Sequence, residues 1–164
     1  MAVPVAKPPL SEHDYHAWLL EQAARLRARQ FDQIDYEVLA EELEDMGRSE
    51  RRAVESHLKN LLIHLLKWAK QRERRSGSWR DSIDNARDAL ADLLQDSPSL
   101  RPQLPEFVKR QYPRARRSAA NQTGLTVSRF PASCPFRLEE ILDTEFFPET
   151  LRRRESLRRT SRGS

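Results

Sequence analysis

The chain has little of what disulfide-stapled, nucleotide-binding or membrane-spanning domains depend on. One cysteine, Cys134, among 164 residues excludes an internal disulfide framework and a cysteine-rich zinc site. The four glycines, Gly47, Gly77, Gly124 and Gly163, each stand alone, so no phosphate-cradling loop and no dinucleotide fingerprint is present. No serine sits in a nucleophile elbow. No apolar run approaches the roughly 18 residues of a membrane helix. The start, MAVPVAKPPL, lacks the apolar stretch of a signal peptide, so a cytoplasmic protein with no membrane partner is expected. Valine and isoleucine are scarce, 10 in all against 21 leucines and 16 alanines, a balance that favours helix over strand.

Charge is plentiful, at 33% of residues, but unevenly placed. The last fourteen residues, LRRRESLRRTSRGS, hold six arginines and one glutamate, so the net +4 of the chain comes from this end. Residues 31–55 carry nine acids against three arginines, and residues 101–117 six basic residues against one acid. Such segregation fits oppositely charged helix surfaces lying near each other in one bundle. The basic tail can hold polyanions loosely and without sequence preference.

Periodicity divides the rest. Residues 1–10, with three prolines, read as a flexible arm. Ser11 is placed to cap a helix over 12–29, with Tyr15, Trp18, Leu19, Ala23 and Leu26 on one face. A second helix near 34–46 turns Tyr36, Leu39, Ala40, Leu43 and Met46 inward, and Gly47 is its expected stop, with Ser49 a fresh cap. The third, 49–72, is the most apolar. Val54, Leu58, Leu61, Leu62, Leu65, Trp68 and Ala69 form its stripe, and Ile63 and Leu66 widen it enough to predict packing on more than one side. Ser78 with Asp81 resembles a capping box for a fourth helix over 79–95, with Trp79, Ile83, Ala86, Leu90, Leu93 and Leu94 inward. After Ser97-Pro98 a fifth helix spans Pro105 to Thr123, kinked or broken at Pro113 and stopped by Gly124. Residues 130–148 hold four of the six phenylalanines and three prolines and read as an apolar strap across the bundle. The prediction is all-α: a single compact bundle of about five helices over 11–149 with a C-terminal apolar strap, then a basic, disordered tail over 150–164.

The run LAEELEDMGRSERRAVESHLKNLLIHLLKWAKQ, then SGSWRDSIDNAR, SPSL and FPASCPFRLEEILDTEFFPE, resembles a bacterial domain-of-unknown-function family, number 29 (DUF29), over residues 13–149. Gly47-Arg48-Ser49-Glu50, His64-Leu65-Leu66-Lys67-Trp68, Ser78-Trp79 with Ser82-Ile83, and Cys134-Pro135 are its most specific pieces. The resemblance implies a small helical bundle and brings no activity with it.

Three constellations could carry chemistry. Glu37, Glu41 and Glu44 on helix two with His64 on helix three are the metal candidates, although no Glu-x-x-His pair of the carboxylate-bridged bundles occurs. The flank position of His64 suits a hydrogen-bonded histidine at the edge of the core better than a metal ligand. Arg51 and Arg52 stand six and five residues before His57, the spacing of HEPN-type ribonucleases, where histidine and arginine handle ribose and phosphate. With 24 arginines in the chain that spacing carries almost no information. Arg74, Arg75, Ser78, Trp79 and Arg80 surround a helix N-terminus and form the binding-site candidate for a phosphate or a partner's carboxylate. Cys134 reads as a packed thiol. No cofactor is expected. The leading reading is a non-enzymatic module that binds another protein or itself. A nucleic-acid-acting protein using His57 with residues 151–164 is the alternative, and a metal-binding bundle comes third.

Overall fold

A computed structural model describes residues 14–151. Five α-helices connect through short 3-10 turns, with no strand among the described residues: α1 Tyr15–Arg27, α2 Tyr36–Lys70, α3 Gly77–Asp96, α4 Leu104–Thr123 and α5 Leu138–Leu142. The all-α prediction holds. The arm over 1–10, the cap at Ser11 and the tail beyond Leu151 lie outside the described residues.

The main correction concerns α2. The predicted second and third helices are one 35-residue helix that runs straight through Gly47, which has no positive φ. Glycine in a helix costs about 1 kcal/mol relative to alanine. Arg48 offsets part of that cost through ion pairs to Glu44 at 3.2 Å and Asp45 at 2.8 Å. The chain forms two compact units, and their boundary, between Arg48 and Ser49, falls inside this helix.

In the first unit, α1 and the start of α2 make a helical hairpin. Asp14, not Ser11, caps α1, its carboxylate accepting from the Ala17 N–H. Arg29, at φ +55°, closes the turn in the left-handed conformation. Gln22 is buried and accepts from the Asp35 N–H at 3.1 Å, while the Tyr15 hydroxyl donates to Glu42 at 2.5 Å. Trp18 and Ile34 are the buried apolar residues here. The predicted inward stripe does not close: Tyr15, Leu26, Tyr36, Leu43 and Met46 are all exposed.

In the second unit the core follows the pattern read from sequence. Val54, Leu58, Leu61, Leu62, Leu65 and Ala69 are buried, and so are Ile63 and Leu66, which makes this stretch of α2 central. Ile83, Ala86, Leu90 and Leu94 of α3 and Leu104, Phe107, Tyr112, Ala115 and Ala119 of α4 join the same cluster. Ser76, rather than Ser78, caps α3 by accepting from the Trp79 N–H. α4 passes Pro113 unbroken and stops at Gly124, whose φ of +70° suits a residue without Cβ. The strap buries Phe130, Phe136 and Ile141 and leans Phe146 and Phe147 on the core.

What holds the strap was not predicted. Arg87 of α3 is 3% exposed and donates to four strap carbonyls: Phe146 at 2.8 Å, Ile141 at 3.0 Å, and Glu140 and Thr144 at 3.4 Å. Backbone carbonyls in an irregular segment have no ladder partner, and a guanidinium supplies five donors in a fixed fork.

Candidate functional site

Three surfaces bring together residues that the sequence analysis considered separately. The first is the hairpin of residues 14–48. Among the described residues, seven large apolar side chains are exposed, and all seven lie between Tyr15 and Met46: Tyr15, Leu20, Leu26, Phe31, Tyr36, Leu43 and Met46. Leu43 and Met46 are more than half exposed, at 61% and 63%. Tyr36, Leu39, Leu43 and Met46 recur at helical spacing, so an amphipathic helix points much of its apolar face at solvent. Carboxylates accompany it. Residues 14–48 hold nine acids against four arginines, and Glu37 and Glu41 are exposed without ion pairs among the described residues. Glu44 is held by Arg48.

The second is a cleft of about 290 Å³ between α2 and α3, lined by His57, Asn60, His64, Ser82, Asn85 and Ala86. It unites the histidine of the ribonuclease reading with that of the metal reading. No arginine lines it. Arg51 instead pairs with Glu55 at 3.6 Å and lies 5.3 Å from the Phe107 ring centre, while Arg52 is exposed. Burial, aided by the nearby Lys67 ammonium, holds the His64 imidazole below its ordinary range. His64 Nδ1 is buried without a hydrogen-bond partner. The Ser82 hydroxyl donates to the Ser78 carbonyl at 2.8 Å. The metal candidates Glu37, Glu41 and Glu44 stand on the same continuous helix as His64, not on a facing one. No group of three or more His, Cys, Asp or Glu side chains among the described residues is placed to hold a metal ion.

The third surface contains the predicted anion site at the start of α3, and two of its five candidates, Arg75 and Arg80, face the protein's own strap. Arg75 donates to the Trp68, Pro148 and Glu149 carbonyls, stands over the Trp68 ring and pairs with Glu149 at 3.6 Å. Arg80 lies over the Phe147 ring at 4.6 Å and beside Asp84 at 3.8 Å. Trp79 receives the Lys67 ammonium at 4.4 Å, and Ser78 meets the Ser76 hydroxyl at 3.0 Å. Arg74 is exposed. Sequence reasoning located this cluster by its charge, but charge alone does not distinguish a ligand's anion from a strap's carbonyls.

Among the described residues the protein is all-helical. Residues 10–147 match the family model described as "Domain of unknown function DUF29", and the chain belongs to that family. Neither the curated proteins nor the solved structures contain a match. No described helix is long and apolar enough to cross a membrane.

Proposed function

We propose that this is a non-enzymatic, cytoplasmic interaction module of bacteria, and that the hairpin of residues 15–46 is its docking element. One observation carries the reading: every exposed large apolar side chain among the described residues falls in this segment. Soluble monomers rarely gather such residues without a partner to cover them. The excess of acids over arginines in residues 14–48 supports a basic occupant. A second copy docked face to face would set carboxylates against carboxylates, whereas a partner helix with an apolar stripe edged by lysine and arginine meets both features.

The test places a photo-crosslinking amino acid at position 43 in cells, with a control at the exposed Asp92. Position 43 is expected to capture, by mass spectrometry, an identified protein through a net-positive helical peptide absent from the control. Leu43→Gln with Met46→Gln should abolish the association. Capture of a second copy, of an acidic peptide, or of the same products from position 92 overturns the reading.

A further inference from the structure

We infer that the second unit carries a binding site for a phosphate-bearing small molecule, formed where the end of α2, the middle of α4 and the first turn of the strap meet. The cavity there measures about 810 Å³, within the range of small-molecule sites. Three cations line it: Lys70, the last residue of α2, Arg116 of α4, and Arg129 from the turn before the strap. Its wall contains no carboxylate. None of the three cations takes part in an ion pair among the described residues, although the nine ion pairs there engage eight other arginines.

Positive groups gathered without a counter-ion repel one another, and the molecule registers that cost. The Lys70 ammonium is held below its ordinary range, first by burial and then by Arg129. An entering anion offsets the repulsion between these cations and supplies the counter-charge that the buried ammonium lacks. Arg116 is already oriented, since its Nε–H donates to the Phe130 carbonyl at 3.0 Å, which leaves its terminal N–H groups for a ligand. Ser128 and Ser133 add hydroxyls to the lining. Pro131, Pro135 and Leu151 supply apolar wall against which the organic part of a ligand can lie. Phosphate suits this set better than a single carboxylate, because several oxygens can engage guanidinium and ammonium together.

Equilibrium dialysis of the full chain against inorganic pyrophosphate and, separately, AMP at constant ionic strength tests the site. One saturable site per chain is expected for each probe. Arg129→Gln and Lys70→Met should each weaken it by at least tenfold, and Arg114→Gln, an exposed arginine of α4 outside the cavity, should leave it unchanged. Circular dichroism identifies any variant that fails to fold, and the exposed Arg129 keeps the test decisive if Lys70→Met does so. Arg158→Gln with Arg159→Gln separates this site from simple adhesion to the basic tail. Absence of saturable binding of either probe, equal weakening by Arg114→Gln, or loss only in the tail variant overturns the inference.

Discussion

Replacing Arg87 with methionine keeps an unbranched, packable stem and removes the donors that pin the strap. Of the four bonds to strap carbonyls, those to Phe146 and Ile141, at 2.8 and 3.0 Å, have good length, and the two at 3.4 Å add little. A hydrogen bond to a charged group contributes about 1.5–3 kcal/mol, so the two good ones are worth roughly 3–6 kcal/mol gross. Methionine avoids the guanidinium's own desolvation, which already depresses the Arg87 pKa, and this returns part of the loss. The strap can also loosen locally and let water reach the abandoned carbonyls. The net expectation is about 3 kcal/mol of lost stability, or a Tm lower by roughly 6–12 °C for a chain of this size. Urea unfolding and native-state hydrogen exchange measure the two parts of the effect. Amides of residues 141–147 should exchange faster than those of Leu58–Leu66 in the variant. Arg87→Lys should recover less than half, because one ammonium cannot fork across several carbonyls. A loss under about 1 kcal/mol, with unchanged exchange in the strap, refutes the assignment of Arg87 as its anchor.

His64 sets a pH dependence. Its folded pKa is lowered by burial and Lys67, while the unfolded imidazole titrates near 6.5. Below about pH 6.5 the unfolded chain therefore binds a proton that the folded chain resists, and stability falls with acidification. Denaturant titrations at pH 7.5 and 5.5 should show wild type losing ground relative to His64→Gln, and parallel behaviour contradicts the assignment. The glycines should respond with opposite sign. Gly47→Ala meets open space in an ordinary helical position and should stabilise by about 1 kcal/mol, whereas Gly124→Ala must hold φ near +70° and should destabilise by about as much, both read from thermal unfolding. Leu43→Gln with Met46→Gln should shift stability by less than about 0.5 kcal/mol, since neither side chain is packed; a Tm drop of more than about 5 °C would show that they are.

Much of the fold was legible in the residues because its causes are local. The leucine spacing of 54–69 calls for burial on more than one side, Gly124 is a ready helix stop because it takes the left-handed conformation cheaply, and the Pro- and Phe-rich run after the last long helix suits a segment laid on a core. The same local logic failed at Gly47, where a weak stop signal lost to helix-forming neighbours on both sides. Tertiary structure decided the rest. Periodicity located the apolar stripe of Tyr36, Leu39, Leu43 and Met46 but carries no information on whether another element covers it. Charge located Arg75 and Arg80, yet their partners, carbonyls and rings more than sixty residues away, exist only once the chain is folded. His57 and His64 became one cleft through α3, and Lys70, Arg116 and Arg129 became one cavity through the strap's first turn. A residue's type and periodicity determine what it can bury or bind, and only the packing of distant segments determines what it meets.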